Sequence, residues 1–326
     1  MNALMKILPG LEMPVESVVS TLAHMWDVPE GEGAHRMDFR ASQMNLVLHF
    51  GLETTPEEGL EKFETAVQFA QRYPCRIVVL CPGSGMQGSA EFHGKLFSHC
   101  YIGRHLRELC CCEALILGYS PEQSDFLENQ ISIWLESDLP IYHWLHRVPA
   151  ERIKNHYLGF LKRCRKVIFD AEVDGDRYTA ITWPQAERVV DLARARSLPF
   201  RQHIGQFLSA YSPAVLSDGL RKITFRHGTT MTRLAMHLRE WHREALANCS
   251  SEAARVPLEI AAGESDNRLQ IIWEFADAQK SLCVQYDGQR SHGRIEGSLE
   301  SKAIDHVIHI EPMSESAALG EALFFV

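Results

Sequence analysis

"MNLVLHFGLETTPEEGLEKFETAVQFAQRYPCRIVVLC" occupies residues 44–81, and its pattern sets the fold class. Residues 44–50 are apolar apart from Asn45 and His49 and are closed by Gly51, as in a buried strand. Thr55 can then cap a helix, Pro56 takes the first helical position, and Glu58 completes a capping box. Leu60, Phe63, Val67 and Ala70 recur at helical spacing, and Pro74 lies past the helix end. Residues 75–81 are a second apolar run. Strand, helix, strand in this order predicts a βαβ unit with parallel pairing and a right-handed crossover.

Downstream the alternation continues. Strand patterns fall at 112–118, 139–146 and 166–171, and helical ones at 121–136, 150–164 and 183–195. They predict an N-terminal α/β domain, residues 1–210, with a mainly parallel sheet. Beyond it a strand at 221–228 leads into a long helix whose stripe is Met231, Leu234, Leu238, Trp241 and Ala245. Strand-like segments then follow one another at 256–262, 268–276, 281–288 and 306–312, with a closing helix at 314–325. This predicts a C-terminal α+β domain, residues 211–326, with antiparallel strands, and a hinge at 212–219.

Charge and composition narrow the function classes. The chain has 33 basic against 42 acidic residues and a net charge of −9, with no long Lys/Arg run, which argues against nucleic acid as a partner. No apolar stretch approaches the roughly 18–20 residues that span a bilayer, and "MNALMKILPGLEMPVES" has no cleavage region. Nine cysteines, three of them adjacent at Cys110, Cys111 and Cys112, suit no disulfide framework. A cytoplasmic protein with reduced thiols is expected.

The motifs that suggest chemistry each lack a necessary part. "GSGMQG" (Gly83, Gly85, Gly88) follows a strand, but residues 92–102 alternate with a period of two. A dinucleotide fingerprint needs a helix N-terminus there, so the loop is expected to join two strands. His143 and His146 leave opposite faces of a strand, as do His306 and His309, and neither makes a local metal-ligand pair. The cysteine run enters an apolar strand, where cysteine behaves as a small hydrophobe. No nucleophile elbow, P-loop or acid/base pair is present, so no catalytic residue, cofactor or metal is assigned.

"LESDLPIYHWLHRVP" (135–149) remains the densest segment. On a strand, Leu139, Ile141, His143 and Leu145 share one face, and Pro140, Tyr142, Trp144 and His146 the other. The aromatic face suits an interface. It equally suits a parallel strand covered by helices.

Taken in order, "NLVLHF", "RYPCRIVVL", "CEALILG", "ESDLPIYHWLHRVP" and "RKVIFDA" resemble the glucose-6-phosphate dehydrogenase assembly protein family, OpcA. The resemblance covers about residues 44–171 and extends weakly through "LPFRQHIGQFLSAYSP". The family's His-Pro is here Tyr73-Pro74, its paired tryptophans are His143-Trp144, its Asp-Ser is Asp170-Ala171, and its Thr-Pro-Trp-Arg is Leu198-Pro199-Phe200-Arg201. Such a divergent member is expected to be a non-enzymatic cytoplasmic protein that binds glucose-6-phosphate dehydrogenase and favours its active form, acting in the oxidative pentose phosphate pathway. Arg76, Asp138, Tyr142, Trp144, Asp170 and Arg201 are the candidate partner-binding positions, although Arg76 and Asp138 equally suit a structural ion pair. The alternative is an NAD(P)- or sugar-phosphate-binding enzyme or sensor, using the Gly83–Gly88 loop or, for a phosphate, Arg76 and Arg201.

Overall fold

The computed structural model describes residues 3–24, 42–83, 92–102, 109–263 and 265–326. Its strands are β1 (Leu11–Met13), β2 (Met44–Phe50), β3 (Cys75–Pro82), β4 (His93–Ile102), β5 (Leu109–Tyr119), β6 (Ile141–His146), β7 (Lys166–Phe169), β8 (Val189–Asp191), β9 (Leu220–His227), β10 (Leu258–Ala262), β11 (Arg268–Phe275), β12 (Ser281–Asp287), β13 (His292–Leu299) and β14 (Lys302–His309). The longer helices are α1 (Pro56–Arg72), α2 (Ser124–Trp134), α3 (Leu198–Leu208), α4 (Thr232–Cys249) and α5 (Glu315–Phe324).

Two compact units result: Met1–Leu192 together with Glu315–Val326, and Ala193–Ser314. The division differs from the expected 1–210 and 211–326, and residues 212–219 lie inside the second unit rather than at its border. The closing helix also returns to the first unit. Ala318, Leu319, Ala322 and Leu323 are buried along it, and Glu315 at its start is paired with Lys62 and Thr65 of α1.

In the first unit the sheet order is β1-β4-β5-β3-β2-β6-β7-β8. From β5 to β8 every pairing is parallel, and β4 is antiparallel to both β5 and β1. The βαβ unit forms as its residues dictate. Thr55 caps α1 with the reciprocal Glu58 bond, and β2 and β3 pair in parallel from Met44 opposite Cys75. β4 confirms a strand after the glycine loop; Gly85 and Gly88 lie outside the described residues.

One sheet face carries Val47, Val78, Leu80, Leu115, Leu117 and Leu145, packed with Leu127 and Trp134 of α2 and with Ile153, Tyr157 and Phe160. Leu46, Leu48, Trp144 and Tyr142 point to the opposite face, where Tyr142 meets Phe324 of α5 at 6.3 Å between ring centroids. The expected helix at 183–195 is instead a short strand, β8, followed by one helical turn and a half. Val189 and Val190 are β-branched and complete the sheet edge beside Val167 and Ile168, which outweighs their helical spacing.

The second unit contains a six-stranded sheet, β10-β9-β11-β12-β13-β14, antiparallel except for β10 beside β9. Burial alternates strictly along β11 and β12, so one face is core and the other open. Phe200 and Ile204 of α3 and Ala235 and Leu238 of α4 pack on the covered face with Phe225, Ile271 and Val284. β13, "HGRIEGSL", has no counterpart in the sequence expectation. Its two glycines and alternating charges dilute the strand pattern.

Candidate functional site

The parallel strands of the first unit start at β2, run outward through β3 and β5, then return to β6, β7 and β8 on the other side. In an open α/β sheet such a reversal marks the binding crevice, at the carboxyl ends of the strands. Here the reversal lies between β2 and β6. The side chains that converge on it come from His49, Tyr119, His143, Tyr157, Ser124 and Arg152.

They form one hydrogen-bonded chain whose direction follows from its end. Ser124 Oγ donates to the carbonyl of Pro121 at 2.7 Å, since a carbonyl only accepts. Tyr157 then donates to Ser124 at 3.1 Å, Tyr119 to Tyr157 at 3.1 Å, and His49 Nε2 to Tyr119 at 2.8 Å. His143 Nε2 donates to His49 Nδ1 at 3.2 Å, which leaves His143 Nδ1 an unprotonated acceptor without a partner. This assignment satisfies every other member and requires His49 to be neutral. Burial imposes the same state: it lowers the His49 pKa to about 3, and burial with the charge of His49 holds His143 well below its usual range. Burial likewise raises the Tyr119 hydroxyl well above its usual value. The turn Ile153–Tyr157 is a π-helix, and its wider spacing carries Tyr157 into the chain.

Little room adjoins these groups. Among the described residues, Phe50, Gly51, Pro82, Tyr119, Arg152 and Tyr157 enclose about 20 Å³, the space of a single water. The backbones after β2 and β6 touch: a Cβ on Gly51 would lie 1.7 Å from the carbonyl oxygen of Arg147. Arg147 itself has a positive φ of 56°, an uncommon conformation for a branched-free side chain of this size. It is held from several sides. Its guanidinium makes bonds of 2.5–3.2 Å to Glu58, its N–H donates to Asp174 Oδ1 at 3.1 Å, and its carbonyl accepts from Arg177 at 3.3 Å. The Arg147 hydrogen bond is the chief reason Glu58 has a lowered pKa, whereas burial raises Asp174 to about 6. His146, buried against Phe50, is lowered to about 4 by burial and by Lys62.

A second polar cluster sits at the amino ends of the same strands. Asn45 donates to the carbonyls of Glu136 and Leu139 at 3.0 and 3.3 Å and accepts from the Glu136 N–H at 3.0 Å. Arg76 donates to the Trp134 carbonyl at 3.1 Å and pairs with Glu113 at 3.5 Å and with Glu136. One clamp thus joins the asparagine-led strand, the Arg76 strand, the Cys112-Glu113 strand and the Glu136–Pro140 turn.

Of the six candidate partner positions, the five in the first unit do not converge. Arg76 is buried in that clamp; its acidic partners are Glu113 and Glu136, while Asp138 is exposed on the turn and forms no ion pair with it. This also removes Arg76 as a phosphate ligand. Tyr142 and Trp144 are 4% and 0% exposed, so the aromatic face is helix-covered packing rather than an open interface. Asp170 is buried and caps the turn Ala171–Asp174 by accepting from the Glu172 N–H at 3.0 Å. Arg201 belongs to the second unit, on α3, where it bonds Ser197 at 3.1 Å. The sequence reading took Glu58 only as a helix cap and missed His49, Tyr119, Tyr157, Arg147 and Asp174. Their spacings carry no motif, because His49 on β2, Tyr119 on β5, Arg147 just after β6, Tyr157 in the π-turn and Asp174 after β7 are brought near these strand ends only by the tertiary fold.

Residues 66–183 match the family model described as the glucose-6-phosphate dehydrogenase subunit N-terminal domain, OpcA_G6PD_assem. Over 109 residues the chain is 30% identical to the "Putative OxPP cycle protein OpcA" of Synechococcus elongatus, a stretch that is 33% of this chain and 24% of that protein. The chain therefore spans about a quarter of the curated relative it matches. Among solved structures, glucose-6-phosphate 1-dehydrogenase from Mycobacterium avium aligns over 87% of each chain with 7% identity and a TM-score of 0.43. Aldose-aldose oxidoreductase from Caulobacter crescentus aligns over 86% of this chain and 88% of its own, with 9% identity and a TM-score of 0.36. At these scores neither likeness bears on function. Residues 66–183 are thus similar to the OpcA family's N-terminal domain.

Proposed function

We propose that the chain is a non-enzymatic partner of glucose-6-phosphate dehydrogenase that binds it and favours its active form. The match of residues 66–183 to the OpcA family model carries this reading. Among the described residues at the switch point, the histidines and tyrosines bond one another. To activate, the protein must bind one state of the dehydrogenase better than the others, and a coupling of about 1–3 kcal/mol changes affinity roughly 5–150-fold.

With Trp144 buried, the contact surface must lie elsewhere. Within 66–183, Phe126 and Ile133 are each 64% exposed, seven residues apart on the outer face of α2. Ile133 also borders a groove of about 800 Å³ with Met13, Val15, Val19 and Phe92. An apolar helix face beside a groove suits a protein partner. The test is sedimentation and steady-state kinetics of the source organism's dehydrogenase with and without the chain. Binding with raised activity, weakened in Phe126→Ser/Ile133→Ser without loss of melting temperature, is expected. A dehydrogenase unchanged by saturating chain removes the proposal.

A further inference from the structure

The open face of the second unit's sheet carries positive charge that the fold does not neutralise. Register places Arg268, Asp287, His292 and His309 in one cross-strand row, and Arg226, Gln270, Gln285, Arg294 and Val307 in the next. Arg290, on the β12–β13 hairpin, stands at the end of these rows and lines the same depression, whose volume is about 310 Å³. Elsewhere on this face charges are paired: Arg294 is bidentate to Asp305 at 2.6–2.7 Å, and Lys222 bridges Glu259 and Glu274 at 3.5 and 3.3 Å. Arg226, Arg268 and Arg290 are exposed and form no ion pair with any described residue. Asp287 is the carboxylate in the depression, and its Oδ1 is spent on the Gln289 N–H at 3.0 Å.

In a chain of net charge −9, three unpaired guanidiniums on one face attract an anion. Guanidinium donors match a phosphate bidentately. The floor beside them adds neutral polar groups. Gln270 and Gln285 line it, Gln285 keeping its amide oxygen while its Nε2 donates to Glu296 at 3.3 Å, and so does His292, whose Nδ1–H donates to the Arg290 carbonyl at 2.7 Å. The volume is that of a small-metabolite site. We infer that this depression binds a sugar phosphate, its phosphate on Arg268 and Arg290 with Arg226 alongside, and its hydroxyls on Gln270, Gln285 and His292. The site lies outside residues 66–183 and does not depend on the partner proposed above.

The test uses the full chain, with isothermal titration and thermal shift against glucose 6-phosphate, glucose and a hexaglutamate peptide. Glucose 6-phosphate is expected to bind and raise the melting temperature, and glucose alone to do neither. Arg268→Gln/Arg290→Gln should weaken binding at least about tenfold, through lost charge-assisted bonds. Arg243→Gln, on α4 away from the depression, should keep wild-type affinity. Equal binding by the double variant and wild type would overturn the site, as would no binding at millimolar concentrations. Tighter binding of hexaglutamate than of glucose 6-phosphate would also overturn it, since the face would then be a protein-docking patch.

Discussion

At the residue scale, two side chains take roles that their identities do not announce. Trp144 sits at a strand position suited to an interface, yet it is fully buried. Trp144→Ala should cost about 3–5 kcal/mol of stability and lower the melting temperature, because a large side chain leaves a cavity. An unchanged melting temperature with weakened dehydrogenase binding would contradict that. Asp174 has the opposite problem, a carboxylate held where water is scarce. Its folded pKa of about 6 lies above the ordinary value of 3.8, so its ionisation penalises the fold increasingly as pH rises between those values. Asp174→Asn keeps the Oδ1 acceptor for Arg147 and removes the charge. It should raise stability by on the order of 1 kcal/mol above pH 6 and by nothing near pH 4. Denaturant melts at both pH values check the sign.

At the scale of elements, the decisive placement is that of α5. Its apolar residues are small and closely spaced, and they insert beside α1, where Phe69 and Tyr73 meet Phe324 at 6.5 and 4.8 Å between ring centroids. Leu319→Ala should therefore destabilise the first unit by about 2–5 kcal/mol. Hydrogen exchange would show it: amides of β2 and β6 should lose protection while those of β11 and β12 keep theirs. Equal loss in both sheets would refute the assignment of α5 to the first unit. The π-turn at Ile153–Tyr157 is a local irregularity of the same consequence, since without it Tyr157 would leave the chain that joins Ser124 to Tyr119.

Across the whole molecule, buried imidazoles recur. His49, His143 and His146 in the first unit and His242 in the second all have pKa values lowered chiefly by burial, with His146 and His242 at about 4. A depressed folded pKa means that the unfolded chain binds protons more readily. The resulting stability is complete above about pH 6.5 and is lost as pH falls through the folded values. Melting temperature should hold from pH 8 to 7 and fall steeply between about pH 6 and 4. Replacing His242 by Gln should flatten that fall for the second unit alone. A melting temperature independent of pH over this range would mean that the imidazoles are solvated.

The βαβ start, the parallel sheet, the long helix α4 and the antiparallel strands were all legible, because each rests on local signals: the Thr55–Glu58 cap, 3.6-residue stripes and apolar runs. The family resemblance was legible too, as ordered segments between Asn45 and Asp170. What local pattern cannot encode is which strands become neighbours. Placing β6 beside β2 put His143 against His49, gave Arg76 to Glu136 instead of Asp138, and shut the crevice between Gly51 and Arg147. Residues 94, 60 and 96 positions apart meet there only because parallel strands align their ends. The last twelve residues show the same limit. Sequence shows an apolar helix, but only the free apolar surface beside α1 determines where that helix is buried.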